Sequence, residues 1–160
     1  MTPMATPVRV AIVDDSAVMR RGISALLEVD EGVVVVGEAG DGDEALALAD
    51  RESPDIVLLD VRMPRRDGVS VVRELSARCR VLMLTFSDET DIIRRALDEG
   101  AVGYLVHGTF DADSLAAMVR TAAAGTTALS GPALTAVLSP AAPARRTGEE
   151  YSRWVVITRI

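Results

Sequence analysis

Five short runs of branched and apolar residues, each followed by a stretch of helical period, constrain this chain more than any other feature. They are Val8-Arg9-Val10-Ala11-Ile12-Val13, Val33-Val34-Val35-Val36, Asp55-Ile56-Val57-Leu58-Leu59, Arg80 to Thr85, and Gly103-Tyr104-Leu105-Val106. Runs this apolar, with little polar alternation, read as strands buried on both faces, which is the signature of a parallel sheet covered by helices. The βαβα order favours a three-layer α/β fold over an α+β arrangement.

The intervening segments carry helix signals. Ser16 is a good N-cap, and the first helix places Met19, Ile23, Leu26 and Leu27 on one face with Arg20 and Arg21 outside. A Gly40-Asp41-Gly42 loop opens a second helix running to about Arg51, and Pro54 stops it. Met63-Pro64-Arg65-Arg66-Asp67-Gly68 reads as a loop, followed by a helix from about Val69 with Val72 and Leu75 inward. A fourth helix spans about Glu89 to Glu99, buries Ile92, Ile93, Ala96 and Leu97, and is closed by Gly100. A fifth runs from about Asp111 to Ala124 and ends at Gly125. The expected domain therefore covers residues 7–125, followed by a short helical extension at 126–138, including Pro132 to Leu138, and a linker-like tail at 139–160. The final stretch, Tyr151 to Ile160, alternates like a strand without an evident partner.

Composition narrows the partners. With 17 Lys and Arg against 24 Asp and Glu, the net charge of −7 argues against a nucleic-acid surface on this domain. The single Cys79 forms no internal disulfide, fits a reducing compartment and is expected to pack in the core. Neither a signal peptide nor a membrane span is expected, which makes the cytoplasm the default location.

Asp14 and Asp15 close the first apolar run, and Asp60 closes the third. Singly, an aspartate after a strand is often the N-cap of the next helix. In a doubly wound sheet, however, sites lie beyond the carboxyl ends of strands where the winding direction reverses. With strands one and three as neighbours there, the three carboxylates share one crevice. Such acidic groups repel one another and favour a divalent cation; an oxygen-only set suits Mg²⁺, leaving one carboxylate to act as a nucleophile.

Several ordered motifs now resemble a known family. Val13-Asp14-Asp15-Ser16, Leu59-Asp60-Val61-Arg62-Met63-Pro64, Asp67-Gly68, Leu84-Thr85 and Gly103-Tyr104-Leu105-Val106 are similar to the corresponding segments of CheY-like receiver domains of bacterial two-component response regulators. The resemblance covers about residues 7 to 125 and implies a flavodoxin-like, doubly wound five-stranded parallel sheet of order 2-1-3-4-5, with helices on both faces. It further implies that Asp60 accepts a phosphoryl group from a sensor histidine kinase. Asp15, Asp60 and the backbone carbonyl of Arg62 would hold Mg²⁺, with Asp14 acting largely through metal-bound water. Thr85 resembles the switch hydroxyl and Tyr104 the aromatic that turns inward as that hydroxyl moves. A β-branched strand terminator and a half-buried edge tyrosine are the plain readings of the same two residues.

One position departs from the pattern. Where receivers place a lysine three residues after the aromatic, this chain has His107, its only histidine. A permanently charged arm is replaced by a shorter ring that titrates near neutrality. Nearby carboxylates or a phosphoryl group are expected to favour imidazolium and allow partial replacement; a loop histidine without a chemical part is the plain reading. Gly108 and the Gly-Thr-Thr-Ala-Leu-Ser stretch at 125–130 resemble the NarL/FixJ subfamily, which implies transcriptional output and a possible homodimer. Contact with DNA would need an output module, and the residues after Pro140 are too few for one.

The expected role is thus a phosphorylation switch with no external substrate turnover. A phosphorylation-independent pseudo-receiver, binding a ligand or protein, is the alternative that His107 supports. An aspartate-nucleophile phosphatase of the haloacid-dehalogenase type is disfavoured, because that class resembles an Asp-x-Asp pattern while Asp14 and Asp15 are adjacent and no cap domain fits.

Overall fold

A computed structural model describes residues 6–63, 68–86 and 89–125, and the backbone of 128–129. Five strands, β1 (Val8–Val13), β2 (Val33–Ala39), β3 (Ile56–Leu59), β4 (Arg80–Thr85) and β5 (Gly103–Val106), alternate with α1 (Ala17–Glu28), α2 (Gly42–Glu52), α3 (Gly68–Ser76), α4 (Thr90–Asp98) and α5 (Ala112–Ala123). All pairings are parallel and the order is β2-β1-β3-β4-β5. A sixth strand, β6 (Ala128–Leu129), pairs with β5 where the sequence reading opened a helical extension. Pro132 to Leu138 and the tail lie outside the described residues.

Strand alternation divides the core into two layers. Ala11, Val13, Val57, Leu59, Val81, Met83 and Tyr104 face one side, where they pack with Leu48, Val72, Leu75, Ile93 and Leu97. Val10, Ile12, Ile56, Leu58, Leu82, Leu84 and Leu105 face the other, against Ile23, Leu27, Leu115 and Val119. Two apolar faces explain the unbroken hydrophobic runs of the inner strands. The edge strand β2 is only half covered, and its register slips between Val10 and Ala11 of β1, where Val35 and Gly37 are the successive partners.

The helix termini follow the local chemistry. Ser16 caps α1, its hydroxyl accepting from the Met19 N–H at 3.3 Å. Asp41 caps α2, and Asp111 with Ser114 forms a capping box on α5. Gly100 and Gly125 take the positive φ angles of 118° and 95° that end helices. On α1, Leu26 is 37% exposed, so the buried stripe is Ile23 and Leu27 rather than the wider face expected. Cys79 is partly buried, with its thiol donating to the Leu75 carbonyl at 3.6 Å, and burial pushes its pKa up to about 11.

Candidate phosphoacceptor and metal site

From β1 the chain steps to β2 in one direction and to β3 in the other, so the winding reverses between β1 and β3. At their carboxyl ends the Asp60 N–H donates to the Val13 carbonyl at 2.9 Å, continuing the β1–β3 ladder one residue past the strands. The Asp14 N–H does the same toward β2, donating to the Ala39 carbonyl at 3.1 Å. Both aspartates are therefore held by main-chain bonds, and one carboxylate oxygen from each of Asp14, Asp15 and Asp60 lies within 4.8 Å of the others.

Their environments differ. Asp14 is buried, Asp60 half-buried and Asp15 exposed. Burial raises the Asp14 pKa to about 6; the Ser16 N–H, donating to Oδ1 at 2.8 Å, opposes this, and the charges of Asp60 and Asp15 reinforce it. Asp60 is also raised, chiefly by burial, against hydrogen bonds from the Thr85 hydroxyl and the Arg62 and Val61 N–H groups. Crowded, partly desolvated carboxylates that resist ionising together form a hard-oxygen donor set suited to a divalent cation such as Mg²⁺. The Arg62 side chain turns outward to Glu89 at 3.2 Å. Beside the cluster, a cleft of about 490 Å³ is lined by Asp15, Val61, Arg62, Met63, Val69, Ile92 and Arg95.

Across the same edge, Thr85 is 1% exposed at the end of β4, and its carbonyl accepts the His107 N–H at 2.8 Å. Tyr104 is 0% exposed, packed inside rather than half-buried at an edge. His107 differs most from expectation. Its ring stacks on Phe86 at 4.2 Å between centroids and tilts against Phe110 at 5.9 Å. Its Nε2 is buried without a hydrogen-bond partner among the described residues. Burial lowers its pKa below the ordinary 6.5 and outweighs the opposing pull of Asp60. Stacking and desolvation thus favour the neutral ring over the imidazolium that neighbouring carboxylates were expected to favour.

The role of Arg20 and the close contact made by Gly68 escaped the sequence reading. Arg20, expected on the solvent face, donates from Nη1 to the Asp14 carbonyl at 2.6 Å and pairs with Glu38 of β2 at 3.0 Å. Gly68 donates its N–H to the Val61 carbonyl at 2.7 Å and passes so close that a Cβ would lie 2.1 Å from the Asp60 carbonyl oxygen. No period announces the Arg20 contact, and the Asp67-Gly68 motif marks the glycine without revealing the close backbone approach it serves. Pro64 and Asp67 of the recognised motif lie outside the described residues.

A doubly wound parallel sheet of order β2-β1-β3-β4-β5 with three carboxylates at its switch point is the architecture of CheY-like receiver domains. Residues 10–120 match the response regulator receiver domain, and the chain belongs to that family. It is 43% identical over 104 residues to the transcriptional regulatory protein PdtaR of Mycobacterium tuberculosis, covering 64% of this chain and 50% of PdtaR. It is 40% identical over 126 residues to the nitrate/nitrite response regulator NarP of Escherichia coli, covering 77% of this chain and 58% of NarP. The chain thus spans about half the length of the curated relatives it matches. Among solved structures, the NarL receiver domain from Mycobacterium tuberculosis superposes with a TM-score of 0.71 at 36% identity, covering 76% of this chain and 99% of that one. These NarL- and NarP-type relatives agree with the subfamily resemblance.

Proposed function

We propose that this receiver is switched by phosphorylation of Asp60. The convergence of Asp14, Asp15 and Asp60 at the β1–β3 switch point, with the Thr85 hydroxyl already bonded to Asp60, carries this reading. A carboxylate is a weak nucleophile, so transfer depends on alignment and charge neutralisation. Asp60 Oδ forms the new bond to phosphorus as the bond from phosphorus to a kinase histidine nitrogen breaks, and that nitrogen keeps the electron pair. Asp15, Asp60 and the Arg62 carbonyl would hold Mg²⁺, with Asp14 acting through water; when bound, the ion supplies neutralisation of the transferring group. Thr85 then reports the phosphoryl oxygen, and Tyr104 holds the inward position coupled to it.

The partner would be a sensor histidine kinase, and the output transcriptional, through dimerisation or a module beyond residues 7–125. The domain turns over no external metabolite in this reading. No helix among the described residues is long and apolar enough to cross a membrane, which is compatible with a cytoplasmic location.

The direct test is intact-protein mass after incubation with Mg²⁺ and acetyl phosphate. Wild type should gain one phosphoryl group and Asp60→Asn none; a gain in His107→Lys but not in wild type would reject the reading. One observation favours a second reading: the stacked His107 offers no fixed charge to a phosphoryl group. A pseudo-receiver that responds to a ligand or protein would show no spectral change with Mg²⁺ and beryllofluoride in NMR titrations.

A further inference from the structure

The geometry points to Arg20 as the positioning residue of the metal site. It rests on the assignment of Asp14 and Asp15 as cation-binding groups. Arg20 lies one turn into α1, its N–H donating to the Ser16 carbonyl at 3.0 Å, so its backbone is fixed by the helix. Its guanidinium spans two other segments. Nη1 donates to the Asp14 carbonyl at 2.6 Å, and Nε donates to Glu38 Oε1 on β2 at 3.0 Å. The Arg20 side chain is 21% exposed and its partner Glu38 40%, so it is the two simultaneous contacts of the guanidinium, not burial of the ion pair, that hold it in place.

The Asp14 carbonyl belongs to the planar peptide that joins Asp14 to Asp15. Holding that oxygen sets the orientation of the plane, and with it the directions in which both side chains leave the backbone. Glu38 in turn holds the guanidinium, and Asp14 is tied to the same strand through the Ala39 carbonyl at 3.1 Å. Arginine suits the task because its planar fork serves two acceptors in one fixed geometry, which an ammonium cannot reproduce.

Charge and position predict opposite results, so the test is decisive. Arg20 is a cation near the proposed Mg²⁺, and if it acted by charge alone, Arg20→Met would bind Mg²⁺ more tightly and Arg20→Lys as wild type does. If it positions the carboxylates, Arg20→Met should weaken Mg²⁺ about tenfold, as loss of outer hydrogen-bond partners does at metal sites, and Arg20→Lys should also weaken it. Arg78 is the matched control. It makes the same two kinds of contact, to Asp50 Oδ1 and the Glu74 carbonyl, both at 2.7 Å, but it precedes β4 at the opposite edge of the sheet.

Isothermal titration of wild type, Arg20→Met, Arg20→Lys and Arg78→Met with MgCl₂, beside thermal melts in EDTA, gives the answer. Weaker Mg²⁺ binding in both Arg20 variants, with Arg78→Met unchanged in affinity, supports the inference. Equal or tighter binding in the Arg20 variants overturns it and leaves the site reading standing. Equal weakening in Arg78→Met overturns it as a general stability effect, and absence of binding in wild type overturns the site reading itself. Should Arg20→Met fail to fold, Arg20→Lys alone distinguishes charge from position.

Discussion

The carboxyl edge of the sheet has two halves built on different physics. Around β1 and β3, every acidic group but the exposed Asp15 is held by main-chain bonds, and Asp14 is tied through Arg20 to β2. Around β4 and β5, the group at the departing position is a ring lodged against Phe86 and Phe110, with a buried nitrogen that has no partner among the described residues. The first half is polar and charged; the second is built around a stack of aromatic rings. If the site works as proposed, the acidic half would accept the phosphoryl group while the pairing at the His107 position differs from that of a lysine.

Loss of the close approach beneath the acidic half should have the largest effect on stability. In Gly68→Ala the new methyl would meet the Asp60 carbonyl, which is backbone and cannot swing aside. Urea unfolding should report a loss of about 3 kcal/mol, the upper range for overpacking, with phosphoryl uptake reduced alongside. Wild-type stability in this variant would mean the two halves differ less in rigidity than the contacts imply.

A smaller effect, of opposite sign, is expected from Asp14→Asn. With its pKa raised from 3.8 to about 6, folded Asp14 binds more protons than the unfolded chain across that window. Stability therefore falls as pH rises through it, and the cost is fully present above about pH 6. The amide keeps the acceptor for the Ser16 N–H without the charge. Melts in EDTA at pH 7.5 should rise by a few degrees, on the order expected for about 1 kcal/mol in a domain of this size. The stabilisation of wild type by Mg²⁺ should shrink in the variant. A lower melting temperature would show that the charge is not a cost.

The aromatic half should give the smallest change. Because burial holds His107 below 6.5, the unfolded chain binds more protons at this site as pH falls through 6.5, and the stability that the neutral ring contributes is lost there. The difference in stability between wild type and His107→Gln should shift against wild type between pH 7.5 and 5. Phe86→Ala, by opening the ring to water, should move the His107 titration followed by NMR upward toward 6.5. An unchanged titration would leave Phe86 without influence on the ring's charge.

Much of this was legible in the chain. Hydrophobic runs located every strand of the five-stranded sheet, and Ser16, Asp111, Gly100 and Gly125 marked helix ends, because caps and left-handed turns act over a few residues. Asp14, Asp15 and Asp60 were found from their place after strands, and Thr85 only through the family resemblance. The reading failed where distant segments decide. Leu26 keeps helical spacing but faces solvent, β2 runs on to Ala39, and Arg20 looked like any surface arginine.

By itself, then, the sequence determined the alternation of strands and helices, the parallel sheet they must form and the three acidic positions at strand ends, since these follow from local period and apolar content. Only the tertiary structure decided which carboxylate is buried, which arginine reaches back to hold the loop, and that the His107 ring is packed against Phe86 away from water. Those outcomes depend on desolvation and on hydrogen bonds between residues far apart in the chain, and neither is encoded in spacing.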